Sequence, residues 1–223
     1  MWVDGEAALL VLADIEAEED AFNEWYDREH IRERVLGIPG YRVGRRYVAT
    51  GSSPKHLALY QCHPGVFGTE QYRRMAENPD ARTRHFVPLM FNSMRTRART
   101  AAPFGEAEGS ILALVSFGPR ASGEARLREL CVQALLPQLA VERGVLAGAL
   151  LESVPEDDLP RSAVTFRRSG GKLDWIIAVE SGHAELVANA VRKLRVLERL
   201  GEAGAEGPAC ANYRLTYRIS PAA

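Results

Sequence analysis

The order of hydrophobic patterns along this chain runs through once and then begins again. Residues 8–15 form an apolar run of strand length, and residues 18–36 show helical spacing with acidic side chains in the first turn, where they suit the helix dipole. Residues 41–50 and 55–63 read as strands joined by a Gly51-Ser52-Ser53-Pro54 turn. Thr69 can cap a second helix over residues 70–77, which Asn78-Pro79 ends. After a linker containing His85, Phe86 and Pro88, residues 91–100 alternate Met94, Thr96 and Ala98 with Arg95, Arg97 and Arg99, as a last strand would. Residues 101–109 have the Pro103, Gly105 and Gly109 content of a linker. Strand 110–117, helix 122–142, strands 145–154 and 172–180, helix 183–200 and strand 213–219 then follow in the same order.

A βαββαβ unit makes a four-stranded antiparallel sheet with both helices on one face, which leaves the other face bare. Two such units in one chain can cover each other, and 223 residues suffice for two. Both alternations of the first strand are apolar, Leu9, Val11 and Ala13 on one side and Leu10 and Leu12 on the other, as expected for a strand buried on both faces. The expected fold is therefore α+β: two tandem ferredoxin-like βαββαβ repeats, residues 1–103 and 108–223, packed sheet to sheet as an intramolecular pseudo-dimer. A site would lie between a sheet and its first helix, or inside the closed barrel.

A formal net charge of −1 exerts no global pull toward nucleic acid or anionic membrane. Arg73, Arg74, Arg82, Arg84, Arg95, Arg97 and Arg99 bias the first half positive, but no stacking aromatics follow a basic groove, so neither nucleic acid nor membrane is an expected partner. Cys62, Cys131 and Cys210 are odd in number and far apart, and read as buried small hydrophobes. The first apolar run lacks a basic leader and is followed by Asp14, Glu16, Glu18, Glu19 and Asp20, so no signal peptide or spanning helix is expected and a reducing cytoplasm is the default compartment.

Chemistry-bearing side chains concentrate in the first helix, in Phe22-Asn23-Glu24-Trp25-Tyr26-Asp27-Arg28-Glu29-His30. At about 100° per residue, Phe22, Trp25, Tyr26, Glu29 and Leu36 share one arc, and Asn23, Asp27, His30 and Arg34 share the stripe beside it. Asp27 and Arg34 would then pull the His30 pKa in opposite directions, while a solvated charge stripe is the plain alternative. Glu29, among aromatics, either snorkels out or is a buried carboxylate with a partner. Arg45 and Arg46 alternate along a strand, so at most one enters a pocket. Tyr47 and Tyr60 can donate hydrogen bonds or simply pack at a sheet face, and His56, His63 and His85 read as structural or solvated. No helix carries histidines at i and i+4, so no metal site is expected. The turn at residues 37–44 leads into a strand, so no nucleotide cofactor is expected either. A polar loop over residues 155–171, with Glu156, Asp157 and Asp158, separates the middle strands of the second half, as either an acidic surface loop or a functional one.

The helix motif, together with Ile38-Pro39-Gly40-Tyr41, Gly44-Arg45-Arg46-Tyr47 and Leu57-Ala58-Leu59-Tyr60, resembles the EthD-like branch of the dimeric α+β barrel superfamily, over roughly residues 8–100 and by topology alone beyond. The resemblance implies a small hydrophobic or aromatic ligand, phenolic or polyketide-like, and cofactor-independent lyase or isomerase chemistry such as decarboxylation, dehydration or cyclisation. The alternatives are a non-catalytic binding or assembly protein and a cofactor-independent monooxygenase. It carries the tyrosine and histidine of the family helix over to Tyr26 and His30. In that setting His30 would serve as acid or base and Asp27 would orient it. Tyr26, Tyr47 or Tyr60 would donate hydrogen bonds, Arg46 would stabilise negative charge, and Asn23, Trp25 and Glu29 would line the site. Where the family often has proline two residues after the histidine, this chain has Arg32. The acidic Gly-rich distal motif of the related haem peroxidases is missing, so haem is not the expected ligand. The second half offers Gln133, Gln138 and Glu142 on its first helix, a degenerate site. Beyond the internal pairing, a homodimer of the whole chain is the further assembly considered.

Overall fold

The computed structural model describes residues 2–120, 122–155, 163–164, 171 and 173–222. Its frame is an antiparallel sheet closed on itself. The first half supplies β1 (Ala7–Ile15), β2 (Tyr41–Ala49), β3 (His56–Cys62) and β4 (Met90–Phe104), and the second supplies β5 (Ile111–Pro119), β6 (Val145–Ser153), β7 (Trp175–Ser181) and β8 (Ala205–Ile219). Around the barrel the order is β1-β3-β2-β8-β5-β7-β6-β4 and back to β1. Each half contributes four adjacent strands, joined at the β2–β8 and β4–β6 seams. Closure removes the unpaired strand edges that an isolated four-stranded sheet would expose. The expected pairing of two ferredoxin-like repeats, sheet to sheet, is thus the architecture observed.

The seams correct two sequence expectations. The first part of the expected linker at 101–109, up to Phe104, is strand, because β4 leaves β1 at Ala7↔Arg99 and continues along β6 as far as Phe104↔Gly148, with a bulge after Ala101. β8 begins at Ala205 instead of 213. Gly207 and Pro208 hide its first part in the sequence, and the structure accommodates them where the register with β5 shifts between Ser116↔Ala209 and Gly118↔Glu206.

The helices also depart from the simple pattern. α1 (Glu19–Trp25) passes through a π-turn at Tyr26–His30 into α2 (Ile31–Gly37). Thr69 caps α3 (Glu70–Glu77) by accepting from the Tyr72 backbone N–H. The stretch around His85, expected to be a linker, contains α4 (Ala81–Phe86), whose start is held by the Asp80 carboxylate on the Arg82 and Thr83 backbone N–H groups. The second half repeats the device: α5 (Glu124–Leu130), a π-turn at Cys131–Leu135, then α6 (Leu136–Ala140). Its other helix is two, α7 (Ala184–Lys193) and α8 (Val196–Glu202), divided at Arg195 in the left-handed region with φ 51°. Among the described residues no helix is long and apolar enough to cross a membrane. Glu156, Asp157 and Asp158 lie outside the described residues.

Three apolar layers follow from strand alternation. Ala8, Leu10 and Leu12 point into the barrel with Leu57, Leu59, Leu112, Leu114 and Ile176. Leu9 and Ala13 point outward, beneath Phe22, Trp25, Ile31 and Val35 of the first half's helices. The second half has its own outer layer, including Val115, Leu127, Leu135 and Ile177. Burying each such large side chain is worth about 1.5–3 kcal/mol. At Gly44 a Cβ would fall 2.7 Å from Val35 Cγ2 and 2.9 Å from Ile31 Cγ1, so the missing side chain lets α2 lie directly on β2.

One end of the barrel is held by charge. Arg45, 1% exposed, reaches inward and donates to Gln61 Oε1 at 2.5 Å and to the carboxylate of Glu108 in the connection between the halves. Arg218 Nε donates to the other oxygen of Glu108 at 2.8 Å, and Glu180 accepts from the Gly109 backbone N–H at 2.9 Å. Burial opposes ionisation of Glu108, but the Arg45 charge and the hydrogen bonds from Arg218 and Arg45 outweigh it and hold the carboxyl down at about 2. Because this lies below the ordinary 4.5, the stabilisation is complete above about pH 4.5 and disappears as pH falls toward 2. Glu108→Gln removes the carboxylate that pairs directly with buried Arg45, and the expected cost is about 2 kcal/mol in urea unfolding at pH 7. The gap between variant and wild type should shrink at pH 3. An unchanged gap there would disprove the charge-based account.

Candidate site beneath the first helix

The winding of the first helix decides which side chains face inward. At the π-turn the Ile31 backbone N–H bonds to the Tyr26 carbonyl, five residues back, and the wider turn advances everything after it. Straight α-helical periodicity put His30 on the polar border and Leu36 on the apolar arc. In the structure His30 turns into the core, 7% exposed, and Leu36 faces solvent at 49%.

The His30 ring lies 4.4 Å from the Trp25 ring and 4.7 Å from the Tyr26 ring. Its Nδ1 sits 3.0 Å from Arg34 Nη1, which also donates to the His30 carbonyl at 3.1 Å. A guanidinium can only donate, so Nδ1 accepts and the neutral ring carries its proton on Nε2. Burial, then the Arg34 charge, then the Arg46 charge push the imidazole well below its ordinary 6.5. At neutral pH His30 is therefore an uncharged hydrogen-bond donor.

Asp27 does not orient it, contrary to the sequence expectation. Its carboxylate accepts from Arg46 Nη1 at 2.8 Å, because β2 brings that guanidinium under the helix. Arg46 also donates to Asn23 Oδ1 at 2.9 Å and to the Asn23 carbonyl at 3.3 Å, and its Cζ lies 4.4 Å from the centre of the Tyr26 ring. The Tyr60 hydroxyl donates to that of Tyr26 at 3.3 Å. The rings of Tyr60 and Tyr41 are 5.8 Å apart, and the Tyr41 hydroxyl is buried without a hydrogen-bond partner among the described residues. Burial pushes both phenols, Tyr60 and Tyr41, above their ordinary value.

The structure thus brings together Asn23, Tyr26, Asp27, His30, Arg46 and Tyr60. Trp25 is core, stacked on Phe86 at 4.9 Å. Glu29 resolves outward and pairs with Arg82. Tyr47 lies on the other face of β2, inside the barrel, where its hydroxyl has no hydrogen-bond partner among the described residues. As strand alternation required, Arg46 and Arg45 face opposite ways, although both are buried.

The sequence expectation that Arg34 acts on the His30 pKa is met by its contact with Nδ1, whereas the sequence assigns Tyr41 no role and His56 only a structural or solvated one. The His56 ring is buried 5.3 Å from Phe22, with Nε2 at 3.3 Å from Glu19 Oε1. That separation is an ion-pair distance without hydrogen-bond alignment, since neither ring nitrogen has a hydrogen-bond partner among the described residues. Burial and the Arg46 charge bring it down to about 4. Nothing in its turn-flanking sequence position signals this. His63 accepts from the Gly65 backbone N–H at the start of a short helical turn, and His85 is solvent-exposed beside the Glu18 carboxylate. Burial pushes the Cys62 and Cys131 thiols up to about 12 and Cys210 to about 11, which disfavours thiolate chemistry. Among the described residues no group of three or more His, Cys, Asp or Glu could hold a metal ion.

The second half provides an internal control. Matching the two π-turns residue for residue sets Tyr26 against Cys131 and His30 against Leu135. Matching β2 with β6 and β3 with β7 sets Arg46 against Leu150 and Tyr60 against Val179. The same backbone accepts an apolar side chain at each of these places. Of the polar residues expected there, Gln138 accepts from Arg199 and Glu142 pairs with Lys193.

No protein-family model matches the chain, and neither does any curated protein sequence. Solved structures do. An anthrone oxidase-like protein superposes with a TM-score of 0.67 at 14% identity, over 99% of this chain and 98% of that one. A putative monooxygenase from Fusobacterium nucleatum gives 0.60 at 8% identity, over 98% and 96%. A ferredoxin-fold protein from Listeria monocytogenes, described as related to antibiotic biosynthesis monooxygenases, gives 0.51 at 7% over 96% of each chain. At these identities the likeness is one of fold. It reaches the ferredoxin-like dimeric α+β barrel and does not single out the EthD-like branch.

The two buried histidines set an acid limit on stability. Each has a folded value below 6.5, so the unfolded chain takes up protons first and stability declines as pH falls from about 6.5 toward 4. His56→Phe keeps an aromatic ring against Phe22 and removes one of the two contributions. Between pH 7 and 4 the variant should lose less stability than wild type by on the order of 3 kcal/mol, measured by denaturant unfolding across that range.

Proposed function

We propose that the chain binds an enolisable aromatic ketone or phenol, of the anthrone type, beneath its first helix and promotes its reaction by stabilising the oxyanion that forms on proton loss. One observation carries this reading: His30, Tyr26, Arg46 and Tyr60 stand where the matching backbone of the second half holds Leu135, Cys131, Leu150 and Val179. Burying an imidazole, a guanidinium and two phenols costs free energy that the fold does not require, and such clusters mark functional sites.

In this reading the His30 Nε2–H donates to the developing oxyanion. The Tyr60 and Tyr26 hydroxyls supply further donors, and Arg46, held by Asn23 and Asp27, supplies positive potential in a poorly solvated layer. His30 is then an electrophilic partner, the acid of the acid-or-base pair of roles, while Asp27 acts through Arg46. The ring CH2 gives its proton to water, the stabilised carbanion reacts with dioxygen to leave a ring carbonyl and hydroxide, and the hydroxide takes up the released proton, so that a ring CH2 and O2 become a ring carbonyl and water. No organic cofactor is called for, because the substrate itself is the reductant. The names of the fold neighbours, anthrone oxidase-like and putative monooxygenase, favour this fate of the carbanion. The lyase or isomerase implied by the family resemblance shares the first step and parts from it there.

The test is oxygen consumption and quinone formation with 1,8-dihydroxyanthrone. Wild type should exceed the spontaneous rate, His30→Phe should fall by about a hundredfold in the catalysed component, and His30→Gln, which keeps an N–H donor, should fall less. Because His30 stays neutral, the rate should show no His30 titration between about pH 6 and 8. Catalysis that survives His30→Phe unchanged, or no catalysis above the spontaneous reaction, would refute the proposal.

A further inference from the structure

The polar lining beneath the first helix does not stop at His30. Continuing the match between the halves, Arg34 of α2 stands against Leu139 of α6, and Tyr41 at the start of β2 stands against Val145 of β6. Both places again take apolar side chains in the second half, so the fold requires neither a guanidinium nor a phenol there. Tyr41 is 3% exposed and belongs to the same outer layer as Tyr26 and Tyr60. Its ring meets the Tyr60 ring edge to face, at 76°, and Tyr60 in turn reaches the Tyr26 hydroxyl. Arg34, which holds His30 Nδ1, is near enough to act on both phenols: burial raises Tyr60 and Tyr41 most, and the Arg34 charge works against it. Tyr26, Tyr60 and Tyr41 therefore form one polar strip with His30 and Arg34 along the helix–sheet layer.

Along that strip Tyr60 donates to Tyr26 and Arg34 to His30, while Arg46 is held by Asn23 and Asp27. The buried carboxylate of the second half is satisfied too: Glu152 accepts from Arg128 Nε at 2.6 Å and from Arg99 Nη2 at 3.3 Å. The Tyr41 hydroxyl, in contrast, has no hydrogen-bond partner among the described residues. Burying a hydroxyl without a partner costs free energy. Phenylalanine would fill the same space without that cost, so the oxygen is explained by a contact with something the protein binds.

We propose that Tyr41 determines the specificity of this site: its hydroxyl donates to a second oxygen of the aromatic ligand, set apart from the oxygen held by His30 on the scale of the 5.8 Å between the Tyr41 and Tyr60 rings. The inference rests on the oxyanion reading of the site and narrows its ligands to fused aromatic ketones that carry an oxygen at an outer ring edge. A hydroxyl peri to the ketone bonds the ketone oxygen itself and does not reach across to Tyr41, whereas one at the outer edge does.

The test compares two isomeric quinones that lack the reactive CH2, so no turnover enters it. In 2,6-dihydroxyanthraquinone the hydroxyls stand at the outer edges, and in 1,8-dihydroxyanthraquinone they crowd one ketone. Dissociation constants come from quenching of tryptophan fluorescence. Wild type should prefer the 2,6 isomer by about tenfold, and Tyr41→Phe should bring the two within about twofold by weakening the 2,6 isomer alone. Without ligand, the thermal midpoint of Tyr41→Phe should equal or exceed that of wild type, whereas Tyr60→Phe, which breaks a hydrogen bond already made, should lie below it. The inference is overturned if wild type shows no preference, if the preference survives Tyr41→Phe, or if ligand-free Tyr41→Phe melts lower. Equal binding of both isomers that His30→Phe weakens would leave the oxyanion site standing without this role for Tyr41. A Tyr41-dependent preference in a protein that does not oxidise 1,8-dihydroxyanthrone would keep the second-oxygen contact and remove the oxidation. Binding of neither isomer would overturn both.

Discussion

A four-stranded sheet with helices on one face has an apolar second face and two unpaired edges, and neither is tolerable in water. In this chain the second copy of the unit answers both needs: its inner face covers the first, and the β2–β8 and β4–β6 seams pair all the edges. β1 to β3 and β5 to β7 are then buried on both sides along most of their length, while the long seam strands β4 and β8 stay partly exposed. The barrel interior fills with Leu10, Leu59, Leu112 and Ile176, so polar chemistry is displaced to the helix–sheet layers outside it and to the charged end around Arg45.

Within those outer layers the two halves have the same backbone and different contents. Both first helices carry a π-turn at the same place, which makes the turn a property of the fold and not by itself a mark of function. The informative contrast lies in the residues. The first half places a neutral imidazole, a tethered guanidinium and a tyrosine pair there, and the second half packs leucine, cysteine and valine. The second half instead gathers charge near the other end of its helix, around Glu152 and Trp175. A duplicated frame lets each half drift in polarity while apolar side chains elsewhere maintain packing.

Electrostatics in the first half runs mainly through Arg46. It neutralises Asp27, positions Asn23, covers the Tyr26 ring and helps keep both His30 and His56 uncharged. An anion forming in this layer would offset the charge that holds the imidazoles down, which couples ligand chemistry to protonation without a further group.

Sequence pattern alone determined the order of the eight strands, the pairing of two βαββαβ units and the double-sided burial of the first strand, because period-2 and period-3.6 alternations are set locally by backbone geometry. It also located the segment, residues 22–30, in which the polar cluster begins. The tertiary structure decided which of those side chains meet. The π-turn swung His30 inward and Leu36 outward, β2 delivered Arg46 to Asp27 so that the expected Asp27–His30 pair did not form, Glu29 went to Arg82, and strand alternation sent Tyr47 into the barrel. Only the seams between the halves revealed that β4 and β8 extend through segments of linker-like composition. Those outcomes depend on partners distant in sequence, from Arg46 beneath residue 27 to Arg99 beside residue 152. No local period encodes which distant side chain will be nearest once the barrel has closed.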